Sequence, residues 1–150
     1  MKKIIHVFIV LITLILLFVI AKYKLFTDNN LKFYEDGWTA YENEQYDLTI
    51  FYLSHVDKNK YPDVVAPIGF SYFEKKDFPN ALINLQDAYN KKIGKKEGYS
   101  DKISNTLGII YMEKGEFDKS KFYFTDALNS NNPDSRRNLQ ILDSLKHVTK

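Results

Sequence analysis

GIIYMEKGEFDKSKFYFTDA (residues 108–127) decides the fold, because two earlier stretches read the same way: GWTAYENEQYDLTIFYLSHV (37–56) and GFSYFEKKDFPNALINLQDA (69–88). Each opens on Gly and carries an aromatic or Met one turn on (Tyr41, Phe73, Met112), followed by a short polar turn. Each has an aromatic nine residues after the Gly (Tyr46, Phe78, Phe117) and a small or aliphatic residue ten further on (Val56, Ala88, Ala127). The Gly-to-Gly spacings of 32 and 39 residues bracket the roughly 34-residue period of a two-helix repeat. One helix pair cannot bury its apolar face alone, so neighbouring pairs must stack. Such an array is usually a surface for holding another chain and seldom a site for chemistry.

Working outward, the pattern predicts an all-α domain with helices over 31–43, 47–57, 63–75, 78–91, 100–114 and 117–130. Turns fall at 43–45, 75–77 and 114–116. Pro62 and Pro79 suit first turns, where proline loses no helical hydrogen bond. Pro67 is expected to delay or kink the third helix. After Asn132-Pro133, the segment DSRRNLQILDSLKHVTK spaces Leu139, Leu142 and Leu145 three apart among charges, which predicts an amphipathic closing helix. Arrays need such a cap with a polar outer face.

The repeated pattern resembles the tetratricopeptide repeat family. The third copy carries Leu107-Gly108, Tyr111, Gly115, Phe117, Phe124 and Ala127-Leu128, with Ser120 in place of the usual Ala. The second carries Ile68-Gly69, Tyr72, Phe78, Ala81, Leu85 and Ala88. The first keeps Phe33, Gly37, Tyr41, Tyr46, Leu53 and Val56, but has Asp36 and Thr49 where Leu and Ala are usual. The resemblance implies three repeats, about 31–61, 62–100 and 101–132, wound into a right-handed superhelix and closed by residues 133–150. It also implies a concave groove lined by the first helix of each pair. Trp38, Phe70 and Ile109 follow the three Gly residues and should face it, with Tyr41, Phe73 and Met112 one turn along. Glu42, Glu74 and Glu113 edge that stripe with carboxylates. The same residues would equally serve as core beneath neighbouring helices. The carboxylate-gripping positions of co-chaperone repeats hold Tyr34, Trp38 and Pro67 here, with only Lys102 and Thr106 suited to a clamp. Chaperone-tail binding is therefore not expected.

Ahead of the repeats, residues 4–21 (IIHVFIVLITLILLFVIA) are apolar apart from His6 and Thr13. As a helix they span roughly 27 Å, close to the roughly 30 Å hydrocarbon core of a bilayer. Lys2 and Lys3 precede the run, and Lys22-Tyr23-Lys24 follow it as an interfacial anchor pattern. Residues 1–24 are thus expected to be a transmembrane anchor, and 25–30 (LFTDNN) a short linker. The short cationic head resembles a signal-anchor, which places the repeats outside the cytoplasm. The alternative is export after cleavage near Ala21, although the apolar run exceeds a usual signal-peptide core.

The chain has 150 residues, of which 45% are hydrophobic and 27% charged, as expected of a globular fold plus appendages. Its net charge of +2 and dispersed lysines do not suggest a nucleic-acid partner. There is no Cys, which excludes disulfides and thiol chemistry. His6, His55 and His147 are scattered, and no phosphate loop, metal-spaced His pair or nucleophile elbow is present. No enzyme activity, cofactor or metal is expected. The segment KKIGKKEGYSD (91–101) holds four Lys and two Gly. Either the preceding helix runs on or a basic loop projects, solvated or offered to an acidic partner. Arg136-Arg137 pose the same choice on the closing helix. The expected function is a membrane-anchored interaction module with a protein or peptide partner, in a layout often found in bacterial envelope complexes. The alternatives are a chaperone-like holder of exported chains, and a regulatory domain binding a small ligand or lipid.

Overall fold

The computed structural model of the chain describes residues 2–25 and 29–148, with side chains at 6, 8–19 and 29–145. No strand occurs among the described residues, which form eight α-helices and one 3₁₀ turn. The helices are α1 (Lys2–Leu25), α2 (Asn29–Glu42), α3 (Tyr46–Ser54), α4 (Val65–Glu74), α5 (Phe78–Asn90), α6 (Ser100–Glu113), α7 (Phe117–Asn129) and α8 (Pro133–Val148), and the 3₁₀ turn is Pro62–Val64. Helices α2/α3, α4/α5 and α6/α7 pair as hairpins, and each hairpin packs onto the next through α3 on α4 and α5 on α6. Helix α8 closes the series against α7 and α6.

The hairpins repeat one crossing. A Cβ at Gly37 would fall inside the Leu53 side chain, one at Gly69 would lie 2.7 Å from Leu85 Cγ, and one at Gly108 would enter the Phe124 ring. The large residue stands sixteen positions after its Gly in every copy. Close approach of the two helices therefore requires Gly at these sites. Thr49, Ala81 and Ser120 are equivalent to one another and fully buried at the same crossing. Ser120 keeps its hydroxyl satisfied there by donating to the Gly108 carbonyl at 2.8 Å.

The turns repeat as well. Glu44, Lys76 and Gly115 adopt left-handed conformations with φ of 56°, 60° and 72°. In the first turn the Gln45 N–H reaches the Ala40 carbonyl at 2.9 Å and the Glu44 N–H reaches Tyr41 at 3.0 Å. Asp77/Lys76 and Glu116/Gly115 do the same to Tyr72/Phe73 and Tyr111/Met112. This is the Schellman arrangement, which satisfies the last carbonyls of a helix.

Three expected bounds shift by two residues or more. Helix α2 begins at Asn29 rather than 31, so it takes in the last two positions of the expected linker. Helix α3 stops at Ser54 rather than 57. There Asp57 accepts from the Asn59 N–H at 2.9 Å, and its own N–H is held by Asn30 Oδ1 at 2.8 Å. An Asx turn of this kind competes with helix continuation. Helix α4 begins with its N-cap at Val64, which puts Pro67 at the third helical position. Its missing N–H would have had no partner in that first turn, so the proline sets the start without a kink.

The core lies between the hairpins as two buried clusters, with the partly buried Tyr72 packed against both. Val65, Ala66, Phe70, Leu85, Ile103, Leu107 and Ile110 form one buried cluster, and Leu53, Val56, Val64 and Ile68 another. Leu142 of α8 is fully buried, whereas Ile141 and Leu145 are exposed. The cap is latched by polar groups. Asn132 accepts from the N–H of Asp134 and of Ser135 at 3.1 and 3.2 Å, and donates to Asp101 at 3.0 Å. Asn105 Oδ1 accepts from Asn138 at 2.9 Å and lies 3.0 Å from the Ser135 hydroxyl.

In α1 the described side chains from Phe8 to Val19, Thr13 aside, are 54–69% exposed. Thr13 is folded back onto the Val10 carbonyl at 2.8 Å. Among the described residues no helix is long and apolar enough to cross a membrane. The described side chains of the run span only about 18 Å of helix. The apolar sequence 4–21 extends past them at both ends, and the side chains of Lys2, Lys3, Lys22 and Lys24 lie outside the described residues, as do linker positions 26–28.

Candidate aromatic groove and basic cleft

Helices α2, α4 and α6 bring three of the expected groove residues together. Trp38 meets Tyr41 edge-on at 6.0 Å between ring centroids, and Tyr41 stacks on Phe70 at 6.4 Å. With Ala66, Pro67, Tyr99 and Lys102 these rings line an apolar cavity of about 160 Å³. The Lys102 ammonium stands 4.7 Å from the Phe70 ring centroid and 3.4 Å from the Tyr41 hydroxyl. It closes the cavity with a cation–π contact. Phe70 takes the core role that the sequence left open beside the groove role. It is only 5% exposed and belongs to the core, with one face on the cavity.

The other expected residues do not join this cavity. Phe73 packs on the core, 6.0 Å from the Phe78 ring. Ile109 and Met112 are half-buried further along α6. Glu42, Glu74 and Glu113 are exposed in all three copies. The start of α6 reaches this cavity instead through Tyr99 and Lys102.

A larger cleft of about 700 Å³ adjoins the cavity and shares Trp38 and Tyr99 with it. Its floor holds Tyr34, whose hydroxyl donates to Asp63 Oδ2 at 2.6 Å and whose ring stacks on Tyr61 at 4.6 Å. Burial, reinforced by the Asp63 acceptor, raises the Tyr34 hydroxyl well above the ordinary phenol range. Burial first, then the nearby carboxylates of Glu97 and Asp63, push Tyr99 up to about 12. Both phenols are therefore neutral near neutral pH. The Trp38 indole N–H is buried near the Tyr34 hydroxyl without a hydrogen bond of good geometry.

The rim of the cleft is the loop between α5 and α6, with Lys91, Lys92, Lys95 and Lys96. Helix α5 ends at Asn90, so the segment does project as a loop. Gly94 is buried at φ 78°, and a Cβ on it would collide with the Tyr99 ring. The Gly94 carbonyl accepts from the N–H of Tyr99 at 2.9 Å and of Ser100 at 3.2 Å. The loop is thus pinned at Gly94 to the base of α6, and its start is tied to the end of α5 by the Lys92 and Ile93 N–H groups.

Sequence reasoning did not place Tyr34, Asp63 and Tyr99 in a site. The available signal was the longer Gly spacing, 39 against 32, which puts extra chain beside the first turn of α6. Among the described residues no group of His, Asp or Glu could hold a metal ion. No protein-family model matches the chain, and no curated protein is similar to it.

Proposed function

We propose that the chain is a membrane-tethered interaction module of tetratricopeptide type, whose three hairpins wind into a right-handed superhelix and hold a segment of a partner protein. The cavity framed by Trp38, Tyr41 and Phe70 carries this reading. It lies between the first helices of successive hairpins, is lined by rings and is gated by an ammonium group. At about 160 Å³ it is smaller than the roughly 300 Å³ at which drug-sized ligand sites begin. A single apolar side chain projecting from a bound peptide suits that size, and aromatic anchors are the usual hot spots of such contacts. The recurrence of the Gly crossing and of the Schellman turns supports the repeat assignment. The exposed apolar face of α1 supports the tether, because a helix apolar on all sides is stable only in a core or a bilayer.

The test is capture of partners from native membranes by the full-length chain, wild type against Tyr41→Glu and Lys102→Glu, read by mass spectrometry. Both positions border the cavity without being fully buried. A discrete partner retained by the wild type and lost by both variants, with native circular dichroism, is the expected result. A partner set unchanged by either variant would remove the groove from consideration.

A further inference from the structure

We infer that the α5–α6 loop and the cleft beneath it bind the acidic flank of a peptide whose apolar side chain enters the Trp38–Tyr41–Phe70 cavity. The inference rests on the groove reading and adds the chemistry of the partner.

Three observations carry it. First, the loop supplies unspent positive charge. Lys91 is committed to Asp87 at 2.9 Å, but Lys92, Lys95 and Lys96 are exposed and make no ion pair among the described residues. Second, the site is built rather than loose. The Gly94 carbonyl ties the loop to Tyr99 and Ser100, and the lack of room for a Cβ at Gly94 keeps it packed on the Tyr99 ring. Third, the cleft and the cavity share Trp38 and Tyr99. A ligand spanning both meets an apolar hole and a cationic rim within one short segment.

The lining also selects among anions. Asp63 and Glu97 both line the cleft. The Asp63 carboxylate already accepts the Tyr34 hydroxyl. Their negative charge disfavours a polyphosphate or nucleic acid, and the chain's net charge of only +2 gives no long-range field to offset it. Peptide carboxylates, each a single charge on its own flexible stem, reach the ammonium groups from outside and turn away from Asp63 and Glu97 while the backbone lies along the rings. Acidic-motif recognition by clustered cations is an established mode of peptide binding. Exposed ion pairs are individually weak, so the three lysines together are expected to contribute about tenfold in affinity.

Trp38 is the only Trp of the chain and lines both compartments, so its fluorescence reports occupancy. The full-length chain held in phosphatidylcholine nanodiscs would be titrated with the capped pentapeptide Glu-Glu-Leu-Glu-Glu, with its Gln-Gln-Leu-Gln-Gln analogue and with phosphatidylglycerol vesicles. The Lys92→Gln, Lys95→Gln, Lys96→Gln triple variant would be titrated in parallel. The expected result is a saturable change with the Glu peptide, about tenfold tighter than with the Gln peptide. That preference should vanish in the triple variant and shrink as salt shortens the Debye length below about 10 Å. No saturable response to the Glu peptide up to about 1 mM, the weak end of recognition, overturns the inference. So does a lysine-dependent response to the vesicles alone, which would assign the rim to lipid headgroups. Equal affinity for the two peptides overturns the acidic preference and leaves the groove standing. Loss of partner capture in Tyr41→Glu but not in the lysine variant separates the two readings in the same way.

Discussion

At Gly108 a methyl group would have to occupy the space of the Phe124 ring, which is itself fully buried. Phe124 cannot swing away without opening a gap against its neighbours, so Gly108→Ala forces the helices apart. Overpacking of this kind costs about 1–3 kcal/mol, and urea unfolding should show a loss of that size. The turn position tells the opposite story. Lys76 holds φ 60° where the third copy has Gly115 at φ 72°. A left-handed L-residue costs roughly 1–2 kcal/mol, partly offset by the roughly 0.5–1 kcal/mol that Gly loses in unfolded-chain entropy. Lys76→Gly is therefore expected to stabilise the fold by about 0.5–1 kcal/mol, seen as a higher urea midpoint with an unchanged slope. A decrease would mean that the Lys76 side chain makes a contact worth more than its strain.

Helix bounds were legible from sequence wherever a bound is set by local chemistry. The Gly positions and the aromatic nine residues later place α5, α6 and α7 within a residue of expectation. The misses at α3 and α4 depend on something non-local or on an untypical cap. Helix α3 ends early because Asp57 is captured by Asn30, a residue 27 positions away in sequence. The closing helix was legible as amphipathic, yet its apolar side contributes one fully buried residue, Leu142. What fixes α8 is the polar latch of Asn132, Asn105, Ser135 and Asn138, a set of residues that no periodicity singles out. Asn132 both caps the helix and ties it to Asp101. Asn132→Ala removes the cap and leaves Asp101 without its donor, so a destabilisation of about 1–2 kcal/mol is expected. Hydrogen exchange should localise that loss to α8 and the end of α7. A uniform loss across all hairpins would instead show that the cap and the array unfold as one unit.

On the scale of the whole molecule, the repeat gave the face that Trp38, Tyr41 and Phe70 share, because that face follows from register alone. It left open whether Phe70 would be covered and whether the link after α5 would project as a loop, because both depend on how neighbouring hairpins approach. The apolar run at residues 4–21 poses a different problem, since the proposed tether would place it in a bilayer rather than in water. Each Leu, Ile, Phe or Val near the bilayer centre favours insertion by about 0.3–0.6 kcal/mol, and residues 4–21 contain little else. Thr13 adds no unsatisfied hydroxyl, since it bonds the Val10 carbonyl. The full-length chain is therefore expected to stay with membranes through high salt and alkaline carbonate, while a variant lacking residues 2–25 partitions into the aqueous phase with its helical spectrum intact. Leu14→Arg places a guanidinium near the middle of the run at a cost of about 2.5–3.5 kcal/mol, and it should raise the fraction extracted without altering the domain. If salt alone releases the wild-type chain, the attachment is peripheral and the tether falls. If the amino terminus of the membrane-derived protein lies just beyond Ala21, the run is a cleaved leader and the groove works free of the bilayer.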